Sequence, residues 1–175
     1  RVQSGSTYGA LTLEKAVAQA VEFYRPYATT SADSDFDDML QKLVEWNVSD
    51  NRRYPWNDNG SGRLFADVYK DIARYVPERK KWYVYDGTRW IPDIGGLKTM
   101  ELAKSLADTL VRYALTITDE RRRKDYLEYS AKWQSRNYRN TYISDAQSVY
   151  PIAMSEFDRN IYYLNCQNGT LDLQT

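Results

Sequence analysis

From Leu97 to about Thr116 the apolar positions Met100, Ala103, Leu106, Ala107, Leu110, Val111 and Ala114 recur at the three- and four-residue spacing of a long amphipathic helix. Such a helix must bury its stripe against other helices, so the chain is committed to a mainly α architecture, a helical bundle. Leu13, Ala16, Val17, Ala20, Val21 and Tyr24 predict a first helix, with Thr12 as cap and Pro26 as stop. Ser34 is expected to cap a second, carrying Phe36, Met39, Leu40, Leu43 and Val44 and ending near Trp46. Leu64, Phe65, Val68, Tyr69 and Ile72 mark a third, broken at Pro77. Thr118, followed by Asp119 and Glu120, starts another that runs to about residue 140, and a short helix is expected over residues 144–150.

Two stretches break this rhythm. KWYVYDGTRWIPD, residues 81–93, alternates aromatic and β-branched residues around Asp-Gly, which supplies the positive φ angles of a type I′ turn; a hairpin is expected over residues 81–91. Trp82, Val84, Thr88 and Trp90 are its candidate cross-strand partners. A second hairpin, over residues 161–173, is expected to turn on Asn168-Gly169. Residues 47–62 are dense in Asn, Asp, Gly, Ser and Pro and read as a linker. Residues 1–56 are therefore taken as connecting helices and residues 57–175 as one helical domain. A start at Arg1 and an end just after a strand-like run read as a piece of a longer chain.

The 24 basic and 24 acidic side chains cancel, so attraction to nucleic acid has to be local. One cysteine, Cys166, precludes an intramolecular disulfide, and the lack of histidine excludes a Cys/His zinc site and a histidine base. Both fit a reducing cytoplasm. No apolar run approaches the ~18 residues of a membrane span, so no membrane partner is expected. Asp33, Asp35, Asp37 and Asp38 lack the glycine and terminal glutamate of a calcium loop; helix capping explains them and no metal is expected. Cys166 has no basic neighbour to lower its pKa and reads as a small buried thiol. Gly60-Ser61-Gly62 lacks the lysine and preceding strand of a phosphate loop, so no catalytic residue and no bound cofactor are expected. A hydrolase would need two acids converging in a pocket.

Residues 118–142 carry the strongest binding signal. On one continuous helix Arg121, Lys132, Arg136 and Arg139 fall within about 60° of each other, beside Tyr126, Tyr129 and Trp133. With Arg122 they could neutralise phosphates while Trp133 and its neighbours stack on unpaired bases. Asp125 and Glu128 are also placed to pair with Arg121 and Lys132, as on an ordinary solvated face over an aromatic core. A second cluster, Arg79, Lys80 and Lys81, stands at the hairpin mouth, where it could meet phosphates or guard strand ends.

An ordered set of pieces then becomes informative: Asp58-Asn59-Gly60, Arg63-Leu64-Phe65, Tyr69, Arg74-Tyr75-Val76, Lys81-Trp82, Asp86-Gly87-Thr88-Arg89-Trp90, Phe157-Asp158, Leu164-Asn165 and Asn168-Gly169-Thr170-Leu171-Asp172-Leu173. Together they resemble the helical domain found just before the superfamily 3 helicase in phage and plasmid DNA primases, related to the poxvirus primase-helicase. The resemblance covers residues 58–173, about two thirds of the chain. Departures are Ser61-Gly62 before Arg63, Tyr85 where tryptophan is common, and Cys166 where an aliphatic residue is typical. The resemblance implies a non-catalytic module of a replication protein in a bacterium hosting a phage or mobile element. ATP and magnesium would belong to a helicase part after residue 175, and primer synthesis to a part before Arg1. The module would join the two, help assemble an oligomer such as a hexamer, and bind single-stranded or forked DNA weakly. The rival reading is a pure protein-interaction module without DNA affinity.

Overall fold

The computed structural model describes residues 30–157, 159, 163–166 and 169–172. The chain divides into two compact units, residues 1–39 and 40–175. The helix predicted over Leu13 to Tyr24 lies outside the described residues, as does the side chain of Cys166. The described helices are α1 (Thr30–Glu45), α2 (Asp58–Tyr69), α3 (Leu97–Thr116), α4 (Glu120–Trp133) and α5 (Arg136–Ala146). Between α2 and α3 lies an antiparallel sheet of β1 (Ala73–Val76), β2 (Lys81–Tyr85) and β3 (Trp90–Pro92); β4 (Tyr163–Cys166) and β5 (Gly169–Asp172) pair separately. The fold is mainly α with small β elements, as the periodicity implies.

Several boundaries differ from expectation. Helix α1 starts at Thr30, so Ser34 lies inside it and is not its cap. Helix α2 ends at Tyr69, and Ile72 does not continue it. Residues 73–76 form a strand that pairs with β2 in the register Ala73↔Val84, Tyr75↔Trp82 and Val76↔Lys81. Tertiary pairing overrides the helical spacing there, because Tyr75 and Val76 suit a half-buried pleated surface. The long helix predicted to residue 140 is two helices, α4 and α5, separated at Gln134 and Ser135, and the short helix over residues 144–150 is replaced by the end of α5 and a turn.

Local chemistry explains the starts. Asn57 accepts from the Gly60 amide at 3.0 Å and caps α2. Asp119, not Thr118, caps α4 by accepting from the Arg122 amide at 2.7 Å. Buried Asp93 accepts from the Lys98 and Thr99 amides and the Thr99 hydroxyl, holding the first turn of α3.

Parts of residues 47–62 are packed. Val48 and Tyr54 are buried, and Gly60, Ser61 and Gly62 are buried in the first turns of α2. The Ser61 hydroxyl lies 2.7 Å from the Tyr129 hydroxyl and 2.8 Å from that of Tyr138, joining α2 to α4 and α5. The core between these helices is aromatic. Trp56 stacks on Tyr129 at 5.5 Å, Trp133 meets Tyr142 at 4.3 Å, and Tyr142 meets Phe65 at 5.8 Å. Each such pair adds about 0.5–1.5 kcal/mol beyond its burial.

Candidate nucleic-acid interface

The predicted basic stripe does not survive as one face, because the break at Gln134 and Ser135 puts Arg136 and Arg139 on a different helix from Arg121 and Lys132. Arg139 turns back and donates to the carbonyls of Trp133 and Gln134, at 3.4 and 2.6 Å, closing the C-terminal end of α4. Arg122 donates to the Ser49 carbonyl at 2.9 Å and ties α4 to the turn after α1. Trp133 is 0% exposed, so its ring is a core residue and no platform for a base. Arg121, Lys132 and Arg136 remain exposed. Among the described residues they form no ion pair, and the expected pairs with Asp125 and Glu128 are absent.

The hairpin provides a better-organised surface. Its two tryptophans point to opposite faces. Trp82 is buried against Phe65 and Tyr75, at 6.0 and 5.7 Å, and anchors the sheet to the helices. Trp90 lies opposite Tyr85, its cross-strand partner, on the other face. Alternation along β2 places Lys81, Tyr83 and Tyr85 on that outer face as well. Phe157 extends the row, 5.4 Å from Tyr83 and 6.2 Å from Trp90. Tyr85 is 40% exposed, while Tyr83, Trp90 and Phe157 are half-buried. The result is a row of rings open to solvent on one side.

Both ends of the sheet are fixed. At the tip the Asp86 carboxylate accepts from the Thr88 amide, the Thr88 hydroxyl and the Arg89 amide. The Arg89 and Thr88 hydrogen bonds hold its pKa down at about 2. The turn therefore centres on Gly87, at φ +98°, and Thr88, one residue later than a type I′ turn on Asp86-Gly87. At the mouth a 3-10 turn, Pro77–Arg79, leads to Lys80 in the left-handed region at φ +50°, its amide bonded to the Pro77 carbonyl. A non-glycine residue there costs about 1 kcal/mol. Arg79, Lys80 and Lys81 are all exposed and form no ion pair among the described residues.

This arrangement places three free cations at one end of an aromatic row. Lysine and arginine there can neutralise phosphates, and ring faces open to solvent can stack on unpaired bases. The prediction included the cations but not Tyr83, Tyr85, Trp90 or Phe157. Strand alternation could have found the two tyrosines; Phe157 lies far along the chain and carries no such signal.

The described residues contain no group of three histidine, cysteine or acidic residues able to hold a metal, and no described helix is long and apolar enough to cross a membrane. Among known families, the one described as D5 N terminal like matches residues 62–175. The chain belongs to this D5 N-terminal-like family. It is the N-terminal domain family of phage- and poxvirus-type primase-helicase proteins, so the chain is a primase-helicase-associated domain. The match contains the entire sheet, α3, α4 and α5. No curated protein and no solved structure matches the chain.

Proposed function

We propose that this domain is a non-catalytic accessory module that joins the primase and helicase parts of a primase-helicase, supports assembly of the oligomer, and holds single-stranded DNA on the outer face of its sheet. In this reading Lys81 and its neighbours Arg79 and Lys80 contact phosphates, while Tyr85 and Trp90 carry bases. Arg121, Lys132 and Arg136 add exposed positive charge elsewhere, and ATP with its magnesium is handled by the helicase part. The observation that carries the reading is the half-buried row of rings, Tyr85 the most exposed, ending in three unpaired cations. Lys80 gives further support, since a left-handed position that glycine would occupy more cheaply instead bears a charged side chain.

Fluorescence anisotropy with a labelled oligo-dT strand tests it at low and physiological salt. Binding that weakens with salt is expected, with a slope that falls by about 2 when Arg79, Lys80 and Lys81 all become alanine, from ~0.7 per phosphate contact on single strands. Tyr85→Ala and Trp90→Ala should each cost about 1–3 kcal/mol of affinity. If the folded chain does not bind at low salt, the DNA clause is wrong; a salt-insensitive oligomer would then favour the interaction module.

A further inference from the structure

A separate cleft of 290 Å³ opens between the end of α1, the turn before α2, α2 itself and Tyr150. Its charge is unbalanced. Arg53, Arg63 and Lys70 line it against a single acid, Asp67. That acid is already engaged: the Tyr54 hydroxyl donates to one carboxylate oxygen at 2.9 Å, and the Tyr150 hydroxyl to the other at 2.6 Å. Arg63 stands 3.6 Å away as its ion-pair partner. Arg53 and Lys70 have no ion pair among the described residues, so two cations face the cleft with nothing to neutralise them.

The Arg53 guanidinium is held by ring faces, 5.5 Å from the Trp46 centroid and 5.2 Å from that of Tyr54. A guanidinium beside aromatic rings can grip a phosphate with two parallel hydrogen bonds. Trp46 itself is half-buried and lines the cleft beside Arg53.

We propose that this cleft binds a nucleoside phosphate, free or as one unit of a single strand, with Arg53, Arg63 and Lys70 gripping the phosphate and Trp46 flanking the base. Asp67 then sets the site's shape, because its carboxylate accepts from both Tyr54 and Tyr150 and holds them as walls. The site shares no residue with the outer face of the sheet, and it stands or falls independently of that face.

The test is calorimetric titration of the whole chain with thymidine 5′-monophosphate, thymidine, inorganic phosphate and a 5′-phosphorylated oligo-dT strand. The monophosphate or the strand should bind, thymidine alone should not, and the double variant Arg53→Gln, Lys70→Gln should weaken binding at least tenfold at low salt. A response to both the monophosphate and the strand that the double variant loses assigns the site to nucleotides in general; a response to the strand alone that persists when Lys81 and Tyr85 are alanine and is lost in the double variant assigns it to DNA. Replacing Lys81 and Tyr85 with alanine should leave the monophosphate response unchanged. Equal affinity of wild type and a normally melting double variant would overturn the proposal. So would a Trp46 indole N–H resonance, assigned by Trp46→Phe, that stays in place at saturating monophosphate and strand; this readout needs no folded double variant.

Discussion

Replacing Gly60 with alanine tests whether the first turn of α2 is a packing device. In an open helix interior this change stabilises by about 1 kcal/mol, because alanine loses less backbone freedom. Here the added Cβ would stand 1.9 Å from the Pro55 carbonyl oxygen and 2.7 Å from the Pro55 nitrogen. An ordinary C···O approach is about 3.3 Å, so backbone must move by more than about 1 Å. The turn resists that movement. Proline fixes its own φ, its carbonyl already accepts from the Asn57 amide at 2.8 Å, and the flanking Tyr54 is buried. Overpacking of this kind costs roughly 1–3 kcal/mol, and a displaced Asn57 cap adds about 1 kcal/mol. Set against the propensity gain, the net loss is about 2 kcal/mol, or a fall of about 6 °C in melting temperature. Gly62→Ala should also destabilise, by less, since its Cβ meets Asp145 Cβ at 2.7 Å and the Ala146 amide nitrogen at 3.1 Å on α5. Differential scanning calorimetry decides it. A Gly60→Ala variant that melts at or above the wild-type temperature would refute the packing argument.

Other outcomes follow from the same geometry. Ser61→Ala removes a buried hydroxyl shared by Tyr129 and Tyr138 and leaves the Tyr129 hydroxyl without that partner; urea unfolding should show a loss of about 2–3 kcal/mol. Tyr126 and Tyr129, held by burial, and Tyr150, held by its bond to Asp67, all have pKa values raised above the usual tyrosine range. The native state thus keeps protons that the unfolded chain gives up above about pH 10, so stability is full below that pH and falls as pH rises further. A fully buried phenol such as Tyr126 contributes up to about 1.4 kcal/mol per pH unit and the half-buried Tyr150 less, which alkaline melting curves would reveal. Lys80→Gly relieves a left-handed backbone and should raise stability by up to about 1 kcal/mol while lowering oligo-dT affinity. A variant that gains stability and keeps full affinity would remove Lys80 from the interface.

The sequence was most informative where a local rule had a local cause. The hairpin was readable because alternation and Asp-Gly occur together within residues 81–93, and α3 because its stripe is long and uninterrupted. Strand β1 was not, since Ile72 keeps helical spacing with Leu64 and Val68 and only pairing with β2 decides otherwise. The break before α5 lacks proline or glycine; it is held by Arg139 reaching back to the α4 carbonyls, a contact invisible to a helical wheel. That same contact dissolved the predicted basic stripe. The Asn- and Gly-rich run over residues 47–62 has a linker's composition, yet its glycines serve close approach, to Pro55 at Gly60 and to α5 at Gly62. The cleft could not be anticipated: Arg63, Asp67 and Lys70 keep helical spacing along α2 and its C-cap, but Trp46, Arg53 and Tyr150 share no run or period with them.

The tryptophan indoles test the assignment of DNA to the outer sheet face most directly. In a titration of the whole chain with oligo-dT followed by NMR, the Trp90 indole resonance should shift in a saturable, salt-dependent way, while Trp82 and Trp133, buried in the core, stay in place. Saturable binding that leaves Trp90 unmoved, or no binding by the folded chain at low salt, would contradict the account.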